Sequence, residues 1–230
     1  MGKTILVVGF GPGISSAVAE KFGASGFSVA LVARNEEKLA AGVKALEAKG
    51  IASAAFPADA SDPASIRSAV GKARAALGPI AAIHWNAYGG LAAGDLLTAD
   101  AAATRDVFEV AIVGLLATVQ EALPDLKAAK DGAVLVTNGA FGDVNPQVDE
   151  FAASAKYMGL AVANAAKHKL VGLLAARLKG DDVYVGEVVV GGSVKGTAWD
   201  QGDATIDAST IADAFWRLFE ARGEIRARVP

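Results

Sequence analysis

Thr4-Ile5-Leu6-Val7-Val8-Gly9-Phe10-Gly11-Pro12-Gly13-Ile14-Ser15 is the stretch that decides the fold. A β-branched apolar run ends in three glycines within five residues, and the helix-like Ala17-Val18-Ala19-Glu20-Lys21-Phe22 follows directly. Strand, glycine turn and helix in that order build a dinucleotide pyrophosphate site. Glycine lets the backbone turn sharply and approach phosphate, while the new helix offers free N–H groups and the positive end of its dipole. Two spacings fit. Gly9 and Gly11 begin G-x-G-x-x-G with Ile14 in the third glycine's place, and Gly9 and Gly13 fit G-x-x-x-G-x-G with Ser15 in the last. A purely structural turn could use the same residues, so the strand–helix context carries the weight.

Outward from that turn, short β-branched runs alternate with long Ala-rich helical stretches. Strands are expected over 3–8, 28–32, 52–56, 80–84, 133–137, 183–190 and 225–229. Helices are expected over 14–25, 35–48, 62–77, 98–128, 151–178 and 207–222. The alternation implies βαβ units, hence a doubly wound, mostly parallel seven-stranded α/β sheet with helices on both faces. No linker or composition break divides the chain, so 1–230 reads as a single Rossmann-type domain. Asn35, Asp62 before Pro63, and Asp207 stand where helix caps belong. Ligands of such a sheet sit outside the carboxyl ends of the strands.

Composition narrows the function classes. No cysteine is present, which excludes disulfides and thiolate metal sites, and only His84 and His168 could supply imidazole, so no metal site is expected. The net charge of −3 comes without a basic run, so neither nucleic acid nor an anionic membrane is an expected partner. No stretch reaches the ~20 uninterrupted apolar residues of a membrane span. The opening residues lack a signal-peptide pattern, and a cytoplasmic location is the expectation.

The second strand ends Leu31-Val32-Ala33-Arg34, without the carboxylate that holds the adenine-ribose hydroxyls in an NAD site. The Arg34 guanidinium instead suits a 2′-phosphate, so NADP is expected rather than NAD.

Taken together, the chain resembles the short-chain dehydrogenase/reductase family over nearly its whole length. Gly9-x-x-x-Gly13-Ile14-Ser15 resembles the family's T-G-x-x-x-G-I-G turn, and Asp59-Ala60 its D-V, whose Asp contacts the adenine amino group. Trp85-Asn86-Ala87-Tyr88 resembles its N-N-A-G, with Trp85 and Tyr88 departing. Val190-Gly191-Gly192-Ser193-Val194-Lys195-Gly196-Thr197 stands where the family has P-G-x-V-x-T, which implies nicotinamide-side contacts from Ser193, Val194 and Thr197. The resemblance thus implies cofactor contacts at Gly9, Gly11, Gly13, Ile14, Arg34, Asp59, Ala60, Asn86, Ala87 and the loop after the sixth strand.

The family's chemistry uses Asn, Ser, Tyr and Lys, and most of that set is missing. Ala165-Ala166-Lys167-His168-Lys169-Leu170-Val171-Gly172-Leu173 resembles A-S-K-A-A-L-x-G-L, which puts the ribose-binding lysine at Lys167 and Ala163 where the tyrosine belongs. Gly139 stands in the serine's place and Ala111 in the asparagine's. Tyr88 is the best-placed phenol after the fourth strand. Tyr157 lies about 15 Å up a straight helix from Lys167 and needs a break to reach it. Asn164 shares the face of Lys167 but is no acid, and His168 points roughly 100° away. The expectation is an NADP-dependent oxidoreductase with a degenerate active site, acting on a small carbonyl, alcohol or enone, with Lys167 and Tyr88 as its working residues. The alternative is a non-catalytic NADP-binding sensor or scaffold. The family implies a homodimer or homotetramer formed through the helices over 98–128 and 151–178.

Overall fold

The computed structural model describes residues 2–230, so Met1, the first residue of the expected domain, lies outside the described residues. Seven strands form one sheet: β1 (Lys3–Val8), β2 (Phe27–Ala33), β3 (Ser53–Pro57), β4 (Ile80–Trp85), β5 (Ala133–Gly139), β6 (Tyr184–Val190) and β7 (Arg226–Val229). Their order is β3-β2-β1-β4-β5-β6-β7, and every pairing is parallel. The connections run outward in both directions from β1 and β4. The crevice between those two strands is therefore the switch point where this architecture takes its ligands.

The helices are α1 (Ile14–Ala24), α2 (Glu36–Glu47), α3 (Pro63–Leu77), α4 (Ala101–Phe108), α5 (Leu115–Ala128), α6 (Pro146–Ser154), α7 (Met158–Leu178) and α8 (Ala208–Ala221). Both faces of β1 are apolar because both are covered. Ile5 and Val7 join Phe22, Phe27, Phe215 and Phe219 in a core beneath α1 and α8. Leu6 and Val8 join Ile66, Ile83, Trp85 and Leu115 beneath α3 and α5. Phe22 meets Phe27, Trp216 and Phe219 edge-on at 5.0–5.3 Å between ring centres, a geometry the ring quadrupole favours.

Asn35 caps α2 by accepting from the Lys38 N–H at 2.8 Å, and Asp62 caps α3 by accepting from the Ala64 N–H at 2.8 Å. Asp207 precedes α8 but does not cap it, because its carboxylate accepts instead from Lys195 Nζ at 3.0 Å.

Both long expected helices are interrupted. The run over 98–128 starts at the Asp100 cap, passes through a π-helical turn at Glu109–Gly114 and resumes as α5. Ala101–Ala128 is long and apolar enough to cross a membrane by length and composition, yet Leu115, Ala122 and Leu126 are fully buried in the fold. The run expected over 151–178 begins earlier, at the Asn145 cap and Pro146, and breaks after Ser154. Lys156 takes a φ of 59°, and the N–H groups of Met158 and Gly159 leave helical register to donate to Gly94 O and Ala93 O.

Candidate active site

The glycine turn after β1 is clasped from two sides. The Gly9 and Phe10 N–H groups donate to Val32 O at 2.9 and 3.1 Å, and the Asn86 N–H donates to Val8 O at 2.8 Å. Asn86 Nδ2 lies 3.4 Å from Gly9 O. Gly9 has a φ of 82°, and a Cβ there would sit 2.5 Å from the Ala87 nitrogen. Gly13, with a φ of 88°, stands at the start of α1, and a Cβ there would run into the Thr197 methyl. A Cβ on Gly11 would meet nothing within 4 Å. Of the two spacings the sequence left open, the backbone demands glycine at Gly9 and Gly13.

Among the described residues no side chain caps α1, and no acidic residue lies in its first turn, so its N-terminal N–H groups face the turn with the positive end of the helix dipole behind them. Ser15, fully buried, accepts from the Gly11 N–H at 2.9 Å and lies 3.0 Å from Gly11 O, so it braces the turn from below. Ile14 packs against the core beneath α1.

Around the adenine end, Arg34 is exposed and forms no ion pair among the described residues. Asp59 Oδ1 accepts from the Ser61 N–H at 2.9 Å and its hydroxyl at 2.7 Å. The Ser61 N–H, then the Ser61 hydroxyl, hold the Asp59 carboxyl below its usual pKa; burial opposes them, and the Arg34 charge adds a smaller downward pull. The Ala60 carbonyl lies so close over Gly114 that no side chain would fit there.

At the other end, Ala87 and Val194 are buried, and Ser193 O accepts from the Ile206 N–H at 3.4 Å. The Thr197 hydroxyl turns inward to donate to Val194 O at 2.7 Å, while its methyl faces the glycine turn. Lys167 is only 5% exposed, and its Nζ donates to Thr137 O at 3.1 Å. Burial lowers its pKa to about 8, against the opposing charge of Glu187.

Glu187 is a residue that sequence reasoning missed. It is the one carboxylate in the otherwise apolar β6 and is fully buried. It meets Arg226 Nε at 2.6 Å, His168 Nδ1 at 2.7 Å and Asn138 Nδ2 at 3.0 Å. This network holds His168 against the buried Glu187. A cavity of about 540 Å³ opens there beside His168, Lys169 and Arg226, and none of the expected cofactor contacts lines it.

The positions of the missing catalytic groups are apolar. Ala111, in the π-helical turn, and Ala163, on α7, are buried together with Ala93 and Val107. Tyr88 is 47% exposed and makes no hydrogen bond to Lys167. Its ring centre lies 6.1 Å from that of Trp199, which Tyr157 approaches from the break before α7 at 5.9 Å. Phe141 continues the row 5.3 Å from Tyr157 and stacks on Phe151. The break before α7 thus brings Tyr157 to an aromatic wall rather than to Lys167. Trp199 was not singled out from sequence, although it follows the loop after β6 by two residues.

The chain is similar to several known proteins. A family profile described as short chain dehydrogenase matches residues 3–198. A short chain dehydrogenase of Pseudocercospora fijiensis is 30% identical over 184 residues, covering 79% of this chain and 57% of its own. The 3-oxoacyl-(acyl-carrier-protein) reductase FabG of Staphylococcus aureus is 28% identical over 164 residues, covering 70% of this chain and 66% of its own. The matched region thus spans less than two thirds of the length of either relative. Among solved structures, a metagenomic short-chain oxidoreductase in complex with NADP superposes with a TM-score of 0.78 at 27% identity, covering 98% of this chain and 96% of its own.

Proposed function

Because the chain belongs to the short-chain dehydrogenase family, we propose that it is a single-domain, NADP-dependent oxidoreductase with a degenerate active site, acting on a small carbonyl, alcohol or enone. The observation that carries this reading is the glycine cradle. Gly9 and Gly13 hold positive-φ backbone where a Cβ would strike the Ala87 backbone and the Thr197 methyl, and they stand in front of a helix start that no side chain caps among the described residues. In this reading the Gly9–Gly13 turn and Ile14 hold the pyrophosphate, and the unpaired Arg34 holds the 2′-phosphate. Asp59 and Ala60 border the adenine. Asn86, Ala87, Lys167, Ser193, Val194 and Thr197 border the nicotinamide riboside. The NADP held by the metagenomic relative supports the same assignment.

When bound, NADPH supplies a hydride. A positioned general acid contributes about 10²–10⁴-fold to such reactions. With Ala163 and Gly139 in place of the family's acid and its serine, reaction is slow, or falls on a C=C bond that needs no carbonyl acid. Tyr88 is the phenol we assign to the mouth. The wall formed by Tyr88, Trp199, Tyr157 and Phe141 favours apolar, planar substrates. We assign the contacts of a homodimer or homotetramer to α4–α5 and α6–α7, where Val113, Phe151, Val162 and Leu173 are exposed.

A fluorescence titration with NADPH and NADH, followed by NADPH consumption over aldehydes, ketones and enones, tests the reading. Micromolar NADPH binding with preference over NADH, and turnover strongest on apolar enones, is the expected outcome. Arg34→Ala is expected to weaken NADPH about tenfold, the scale of one charge-assisted hydrogen bond, and to leave NADH unchanged. Equal losses for both cofactors would remove Arg34 from the 2′-phosphate.

A second reading is favoured by the closed apolar cluster of Ala93, Val107, Ala111 and Ala163, which leaves no hydroxyl at the usual catalytic positions. It makes the chain a non-catalytic NADP sensor or scaffold. A flat trace over the whole panel with NADPH bound, together with an NADPH-dependent change in association, would select it.

A further inference from the structure

Gly139 stands where the family places its serine, yet the space beside it is filled. A Cβ on Gly139 would lie 2.7 Å from Asn164 Nδ2. At Gly142 a Cβ would lie 2.7 Å from the Asn164 carbonyl carbon and 2.9 Å from its Cβ. The two glycines let α7 descend onto the end of β5, and the Asn164 carboxamide takes up the volume of a side chain at position 139.

Asn164 is held firmly there. It is 3% exposed, and its main-chain oxygen accepts from Asn138 Nδ2 at 3.0 Å. Asn138 is itself fixed by Glu187 at 3.0 Å and by the Gly139 N–H at 3.1 Å. One turn further along α7, Lys167 Nζ grips Thr137 O. Every polar neighbour of Asn164 is engaged, but its own carboxamide has no hydrogen-bond partner among the described residues. Its amide atoms are not sealed from solvent, since the buried side-chain atoms without a partner among the described residues are His84 Nδ1 and Trp85 Nε1, and asparagine is a poor helix-interior residue, so packing gives no reason for it here.

We propose that the Asn164 carboxamide donates a hydrogen bond to the carbonyl oxygen of the ligand, from the place a serine hydroxyl would otherwise occupy. The proposal rests on reading the crevice as an oxidoreductase site. An amide N–H holds and polarises an oxygen without giving up its proton, which matches an α,β-unsaturated carbonyl better than a simple ketone. Preorganised donors of this kind are worth on the order of 10²–10³ in rate.

The test uses N,N-dimethylbenzamide, an unreactive aromatic carbonyl that accepts hydrogen bonds and donates none. It is titrated into the protein with and without saturating NADPH, and side-chain amide resonances are followed by NMR with ¹⁵N labelling. The Asn164 amide signal is expected to shift on probe binding. Asn164→Ala and the similarly sized Asn164→Leu should each weaken the probe at least tenfold while changing NADPH affinity less than twofold. The double variant Gly139→Ser/Asn164→Ala returns a donor from the strand side and should restore most of the affinity. Probe binding undiminished in Asn164→Ala, an unmoved Asn164 signal, or no probe binding to the wild type would each overturn the proposal. A failed NADPH titration would instead remove the oxidoreductase reading, and the probe titration without cofactor would still decide the donor.

Discussion

Lowering the pH from 7 to 4 is expected to remove about 3 kcal/mol of folding stability through His84 alone, at roughly 1.4 kcal/mol per pH unit. His84 is fully buried in β4, its ring centre 4.8 Å from that of Phe215 and its Nε2 3.0 Å from the Thr137 hydroxyl. Its Nδ1 has no hydrogen-bond partner among the described residues. Burial holds its pKa down to about 3, from an ordinary 6.5. Between those values the unfolded chain takes up a proton that the folded chain refuses, so stability is full above pH 6.5 and falls steadily as the pH drops toward 3. Urea midpoints of the wild type and His84→Leu at pH 7, 5 and 4 measure this. The variant loses the Thr137 contact at every pH, a constant offset of about 1 kcal/mol. Carboxylates weaken both proteins in acid, so the difference between the two curves is the readout. It should move in the variant's favour by about 3 kcal/mol at pH 4. Parallel curves would mean that His84 titrates normally in the folded chain.

Replacing Gly9 by alanine is expected to cost at least about 3 kcal/mol and to weaken NADPH more than tenfold. The φ of 82° is strained for any L side chain, and the new methyl would meet the Ala87 nitrogen at 2.5 Å, its Cα at 2.6 Å and the Asn86 carbonyl carbon at 2.8 Å. All three are backbone atoms, so no side chain can swing aside. Withdrawing the end of β4 would break the Asn86 N–H bond to Val8 O, which ties the crevice together. Gly11→Ala is the matched control, since its methyl would project into open space. Thermal unfolding of the two variants should separate them widely. Equal stability would mean that the turn yields without loss, and the cradle would no longer carry the functional reading.

The glycine turn and the helix starts were legible because local chemistry dictates them. A β-branched run broken by glycines, and helix starts such as Asn35 and Asp62-Pro63, need only neighbours in sequence. The break before α7 was not legible in full. Its start, Asn145-Pro146, carried a usable signal, but the carbonyls that end it belong to Ala93 and Gly94, some sixty residues away in the chain. The π-helical turn was hidden too, since it preserves the apolar pattern of an ordinary helix. At the other end, a motif picked out Lys167, which the fold buries with its Nζ on Thr137 O. Asn164 looked like a helix residue of the wrong chemistry until Gly139 was seen opposite it. Glu187 was missed, although it is the one carboxylate of β6, because its partners come from three separate elements.

The π-helical turn at Glu109–Gly114 also has a bearing on how this chain tolerates insertion and deletion. A π turn houses one residue more than an α turn over the same path. Deleting one residue there would absorb the π turn into a continuous α-helix and leave α4 in place, whereas deleting a second would rotate α4 by about 100° and slide it about 1.5 Å along the axis. Val107 would then swing away from Ala163, and the contact between α4 and α7 would be rebuilt from other side chains. The count of residues between Phe108 and Leu115 thus acts as a phase setting that decides which face of α4 looks toward α7.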